Sequence, residues 1–129
     1  MLRDKVFEWC DTKSVSLAHD ICEELAHNLS TDSTSELVEK VALWGRDRNL
    51  DDPKAQLNKV IEEVGEMAHE ICRNNYDSSL LADAIGDTLV TVIILADILG
   101  MDPIMCLSAA YNEIKSRSGE TKNGTFVKD

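Results

Sequence analysis

The chain of 129 residues is acidic, with a formal net charge of −11 and an isoelectric point of about 4.6. That length fits one domain, large enough to bury a core without disulfide or metal staples. The charge argues against nucleic-acid binding as the main task, because such proteins carry a basic face. A small phosphate ligand stays open, since a bound cation and a few local bases invert the field. Cys10, Cys22, Cys72 and Cys106 show neither Cys-x-x-Cys pairing nor tight Cys/His spacing, which argues against a zinc site. They sit in apolar helical stretches and read as reduced core thiols. Met1-Leu2-Arg3-Asp4-Lys5 leads into no apolar leader-like run, and the apolar run 89–99 is short and broken by Thr91 and Asp97. The expectation is a cytoplasmic protein without a membrane partner.

Gly and Pro are scarce, strand-like alternation is absent, and the pattern predicts an all-α fold. A short first helix is expected over 3–11. Residues 15–28 follow as an amphipathic segment with Leu17, Ile21, Leu25 and Leu29 at fourfold spacing. The polar stretch Ser30-Thr31-Asp32-Ser33-Thr34-Ser35 offers several N-caps before a helix over 35–46, which carries Leu37, Val38, Val41 and Trp44 on one side. Asp51-Asp52-Pro53 is a start signal, an Asp cap followed by proline at the first helical position. The helix it opens runs to about 74, with Leu57, Val60, Ile61, Val64, Met67, Ala68 and Ile71 as its apolar face. A turn at 74–78 leads into a helix over 79–99 that is apolar nearly all round and so must be buried on most sides, in part by a partner subunit. Gly100 ends it and Asp102-Pro103 starts a last helix to about 117. The polar tail 118–129 is expected to be irregular.

Two acidic clusters on consecutive helices carry the chemistry. Glu62-Glu63-Val64-Gly65-Glu66, with Glu70 one turn on, lies on the first; Asp83-Ala84-Ile85-Gly86-Asp87 lies on the second. Carboxylates three and four apart share a helix face and repel one another. An acidic helical run is usually a solvated face. Two aspartates in the most apolar helix of the chain are harder to place that way, because such groups need an ion partner or a metal. If the helices pack antiparallel the two faces meet, and the set becomes a magnesium site of the kind that handles phosphates. Gly65 and Gly86 stand beside the acids, and close approach of the two helices there would explain them. Asn112, Lys115, Arg117 and Lys122 have the chemistry to hold phosphates, although basic residues favour helix C-termini in any case. Trp44, beside Arg46, Asp47, Arg48 and Asn49, has the chemistry to stack a base, although a tryptophan in a small helical protein is more often core.

A different assembly is also written in the chain. Glu24-x-x-His27 and Glu66-x-x-His69, with Glu36 or Glu39 and Asp83 or Asp87, have the ligand types of a ferritin-like di-iron bundle. The helices are short for such a bundle, and Glu-x-x-His arises readily by chance in an acidic helical chain.

On the residues Glu62-Glu63-x-x-Glu66 and Asp87, the sequence resembles the MazG-like family of all-α nucleoside triphosphate pyrophosphohydrolases, marked by Glu-Glu-x-x-Glu on one helix and Glu-x-x-Asp on the next. The stretches from Trp44 to Leu50, Pro53 to Lys59, Tyr111 to Arg117 and Asn123 to Lys128 resemble small phage and bacterial members. One departure stands out: the Glu of Glu-x-x-Asp falls on Ala84, with Asp83 adjacent. The resemblance implies a four-helix-bundle-type domain over 36–129, preceded by an added helical segment over 1–35. It implies hydrolysis of nucleoside triphosphates to the monophosphate and pyrophosphate. Glu63, Glu66, Asp87 and Asp83 are then expected to hold Mg²⁺, with Mn²⁺ as a substitute, and Glu62 to position or deprotonate the attacking water. Lys59, Asn112, Lys115 and Arg117 are expected on the phosphates and Trp44 on the base. A homodimer or homotetramer would bury the apolar 79–99 helix. The competing expectation is a non-catalytic helical interaction protein that kept the fold.

Overall fold

The computed structural model describes residues 32–74 and 76–129, together with Asp20 and Glu23, both helical. The helices expected over 3–11 and 15–28 otherwise lie outside the described residues. Among those described, four helices and one strand pair follow in chain order: α1 (Thr34–Arg46), α2 (Pro53–Ile71), α3 (Ser78–Ile98), α4 (Pro103–Ile114), β1 (Gly119–Lys122) and β2 (Thr125–Lys128).

Each helix starts where a short polar side chain satisfies the orphan backbone N–H groups of the first turn. At α1 this is a capping box. The Ser33 hydroxyl accepts from the Glu36 N–H at 3.3 Å, and the Glu36 carboxylate accepts from the Ser33 N–H at 3.3 Å. Asp52, Asp77 and Asp102 cap α2, α3 and α4 in one way, each carboxylate accepting two backbone N–H groups of the turn ahead. The expected helices over about 53–74 and 103–117 close earlier, at Ile71 and Ile114. The 118–129 tail, expected to be irregular, is an antiparallel hairpin pairing Gly119 with Lys128 and Lys122 with Thr125. Its two-residue turn is Asn123-Gly124, both at positive φ (51° and 76°), the backbone that matches strand twist and that Asn-Gly adopts at low cost.

α2 and α3 run antiparallel. The Gln56 amide donates to the Thr91 carbonyl at 3.1 Å, and at the C-terminal end of α2 Glu70 accepts from the Asp77 N–H at 2.7 Å. α1 packs across α3 at Gly45, where a Cβ would stand 3.2 Å from a methyl of Ile94. A clasp reinforces this contact: Arg46 grips Asp97 with Nε 2.9 Å from one carboxylate oxygen and a second nitrogen on the other. Lys40 pairs with Asp32 at 2.7 Å.

What is buried differs from the expectation. Among the described residues the buried apolar side chains are Ala42, Ala84 and Ile94; the buried polar ones are Gln56, Glu63, Glu70 and Thr91. The buried residues of α2 are therefore polar, with half-buried Val60 and Met67 between them. Leu57, Ile61, Val64 and Ile71, expected to be core, are exposed, as are Leu80, Ile85, Leu89 and Val92 of α3. α3 is the one helix among the described residues long and apolar enough to cross a membrane by length and composition. It also carries Asp83, Asp87 and Asp97 and packs against α1 and α2. Cys72 and Cys106 are exposed free thiols rather than core residues, because Cys72 caps the end of α2 and Cys106 lies on α4, which has no buried residue.

Candidate active site

The acidic residues of α2 and α3 border two adjoining cavities. The larger, about 540 Å³, lies between the end of α1, the start of α2 and the middle of α3; Trp44, Gln56, Lys59, Glu63, Asp87 and Thr91 are among its walls. The smaller, about 450 Å³, lies further along the α2–α3 pair, where Glu62, Glu66, His69, Asp83 and Ala84 line it. Asp87 borders both. The helical pitch explains this division. Glu62 and Glu66 share a stripe of α2, and Glu63 stands 100° further round, facing the first cavity.

Glu63 is only 6% exposed. Its charge is met by Lys59, one turn earlier on the same helix, whose ammonium lies 2.9 Å from a Glu63 oxygen and 3.0 Å from a Glu62 oxygen. Those two carboxylates hold the Lys59 ammonium charged well above its ordinary range. Asp87 feels the opposite field. Partial desolvation, then the charges of Asp83 and Glu63, push its carboxyl upward, with Lys59 opposing. Its side chain is nevertheless exposed, so water screens much of that penalty. Hard carboxylate oxygens gathered around Asp87 are the donor type that Mg²⁺ and Mn²⁺ take. Among the described residues no three His, Cys, Asp or Glu side chains are arranged to hold a metal ion as they stand; Glu62 and Glu63 are turned to Lys59. The donor chemistry therefore fits a divalent cation, with Lys59 now standing on two of the donors.

Trp44 is not core. Its side chain is 48% exposed, it walls the larger cavity, and the Arg48 guanidinium lies over its ring at 3.9 Å from the centroid, a cation–π contact that fixes the indole plane. Asn49, at φ 55°, turns the chain from α1 so that Leu50, Asp51 and Asp52 close the same wall.

Asn112, Lys115 and Arg117 are not brought to these cavities within one chain. Lys115 bonds the Asn112 side chain at 2.9 Å, and Arg117 lies 3.7 Å from Glu113, at the exposed end of α4. Lys122 pairs with Glu120 in the hairpin. Glu70 serves the fold: it takes the Asp77 N–H and an ion pair with Arg73 at 3.1 Å. The close approach expected at Gly65 and Gly86 is absent, since an added Cβ would meet nothing within 4 Å at either. Among the glycines inside the described helices, the tight one is Gly45. For the di-iron set, Glu36 is held in the α1 cap and Glu39 lies near Arg46, while Glu24 and His27 lie outside the described residues. Sequence reasoning missed Thr91, whose carbonyl fixes Gln56. Its signal was a polar residue inside the most apolar helix, read only as an interruption.

Comparisons with known proteins identify the family. The family model of the MazG nucleotide pyrophosphohydrolase domain matches residues 51–118. No curated protein matches the chain. Among solved structures, the MazG-like pyrophosphohydrolase of cyanophage S-2L, bound to dGDP and three catalytic Mn²⁺ ions per active site, is similar at 25% identity with a TM-score of 0.57, over 76% of this chain and 98% of that one. The family match spans more than half of the sequence and contains both acidic clusters, so the chain belongs to the MazG nucleotide pyrophosphohydrolases.

Proposed function

We propose that this enzyme hydrolyses a nucleoside triphosphate, ribo or deoxy, to the monophosphate and pyrophosphate with Mg²⁺, or Mn²⁺ in its place. The observation that carries the reading is Asp87. It borders at once the cavity with an exposed aromatic and a lysine and the cavity with the remaining acids, so a nucleotide laid along them would put base and phosphates on opposite sides of it. The similar cyanophage enzyme, which binds dGDP with Mn²⁺, supports the same class of ligand.

Glu63, Glu66, Asp87 and Asp83 would hold the cation, which when bound neutralises phosphate oxygens as charge develops on them. Glu62, 56% exposed at its side chain and paired with Lys59 in the metal-free chain, would accept the proton of a water attacking the α-phosphorus. One oxygen–phosphorus bond forms, the bridging oxygen between the α and β phosphates departs with its electron pair, and pyrophosphate leaves. Trp44, its plane fixed by Arg48, stacks the base, and Lys59 offers its ammonium to the phosphates. Asn112, Lys115 and Arg117 reach phosphates only if a second copy presents them. The exposed apolar stripes of α2, α3 and α4 support that assembly, a homodimer or homotetramer, as does an exposed hairpin that two strands alone hold weakly. The acidic surface and the reaction suit the cytoplasm, without nucleic-acid or membrane partners.

Release of pyrophosphate from a panel of NTPs and dNTPs, with Mg²⁺ or Mn²⁺, tests the proposal, dGTP standing first because of the cyanophage ligand. Metal-dependent turnover of at least one member is expected. Failure of every nucleotide, together with a Glu63→Ala protein that binds metal like the wild type, would overturn it.

A further inference from the structure

We infer that Lys59 is a built-in counter-ion of the acidic site: it occupies the carboxylates until a divalent cation displaces it, and the ammonium so released anchors the substrate's phosphates. The inference rests on the function just proposed and adds an order of binding to it, metal before nucleotide.

The geometry has three parts. The Lys59 ammonium bridges two carboxylates at 3.0 and 2.9 Å, and both belong to the acidic cluster. One of them, Glu63, is nearly buried, so leaving it without a cation is costly; lysine fills that need without metal. Finally, Lys59 walls the larger cavity with Trp44 and Gln56, so the space into which its flexible four-carbon stem can swing is the space in which a nucleotide would lie.

Two cations cannot share the Glu63 carboxylate at full strength, because unit charges a few ångströms apart in a partly buried site repel by several times the thermal energy. A divalent ion therefore pushes the ammonium away. The displaced ammonium has lost its anion and stands beside the bound metal, which favours a polyphosphate as its next partner. Binding of metal and phosphate is thereby coupled in both directions.

Calorimetric titration of MnCl₂ into the metal-stripped full chain, without nucleotide, separates this idea from its alternatives. Lys59→Met is expected to bind Mn²⁺ about tenfold more tightly than the wild type, the worth of one competing ion pair. Titration of inorganic pyrophosphate into the Mn²⁺-loaded proteins should show the reverse, about tenfold weaker binding by Lys59→Met. The metal-free variant should melt lower than the wild type and gain more from Mn²⁺. Lys59→Gln, which keeps a donor for Glu63 but no charge, should move all three readouts in the same direction. Equal or weaker Mn²⁺ binding by both variants, with normal binding by the wild type, would overturn the counter-ion role and leave the hydrolase reading intact. Absence of Mn²⁺ binding by the wild type and both variants would overturn the two together.

Discussion

Glu62 and Glu63 are neighbours in sequence with different surroundings. One is open to water and the other is packed against α3, which on the function proposed above suits the first to accept a proton and the second to hold metal. Glu62→Gln is expected to lower kcat by about 10²–10⁴-fold while Mn²⁺ binding, read by calorimetry, persists. Ala84 stands at the position where the family pattern has a glutamate, and its side chain is buried in the wall of the smaller cavity. Ala84→Glu adds a further carboxylate to those that line that cavity. The metal-free variant should melt below the wild type, and Mn²⁺ should raise its melting temperature by more than it raises the wild type's; an equal metal-induced shift would refute the placement. The acids themselves were legible in the sequence because their spacing is helical. The lysine that bridges two of them reads from sequence only as a phosphate contact, because a chain read linearly does not reveal which charges are already paired.

Helix boundaries were legible wherever chemistry marks them. Asp52-Pro53 and Asp102-Pro103 start α2 and α4 as expected. The hairpin was not, because strands exposed on every residue lack the alternation that marks a buried face; the Asn123-Gly124 pair was the available sign. Burial was misread for a related reason. Apolar periodicity identifies a face that seeks cover, and in α2 only its edge, Val60 and Met67, is half-buried, whereas Leu57, Ile61, Val64 and Ile71 stay exposed and the buried residues are Gln56, Glu63 and Glu70. Glu70 shows what such a buried acid does. Glu70→Ala leaves the Asp77 N–H and Arg73 without their acceptor and should cost about 2 kcal/mol in denaturant unfolding, with metal-dependent turnover per folded molecule retained. The glycines give a paired prediction. Gly86→Ala meets open space and should stabilise by about 1 kcal/mol through helix propensity. At Gly45 the same gain is opposed by the Ile94 side chain at 3.2–3.3 Å, so Gly45→Ala should be less stable than Gly86→Ala by chemical denaturation.

For the molecule as a whole, α1 is tied to the α2–α3 pair by Gly45 packing and the Arg46–Asp97 clasp, and Trp44 rides on α1. The clasp is pH-sensitive in a definite direction. The hydrogen bond from Arg46 holds the Asp97 carboxyl below its ordinary value of 3.8, burial opposes, and the Arg46 charge adds to the lowering. The folded state therefore binds fewer protons than the unfolded one in that range. The stabilisation is full above pH 3.8 and is lost as pH falls through the depressed value. Melting curves of wild type and Arg46→Met should differ at neutral pH and converge once pH falls through that depressed value; a constant gap would show that the clasp contributes through packing instead. The all-α architecture followed from composition and periodicity. How the monomer hides its apolar stripes did not, because a single sequence carries no separate mark for surfaces that face another copy.

The polar contact between α2 and α3 also sets register. Gln56, Glu63 and Glu70 recur one heptad apart, each about 10 Å along the axis from the next. The outer two are pinned across the interface, Gln56 to the Thr91 carbonyl and Glu70 to the Asp77 N–H. Sliding α2 by one turn would break both bonds at once and leave buried polar groups unmatched, whereas an apolar seam would tolerate the slip. Glu63 sits midway between these two pins, so its height relative to Asp87 is fixed by residues that take no part in the chemistry.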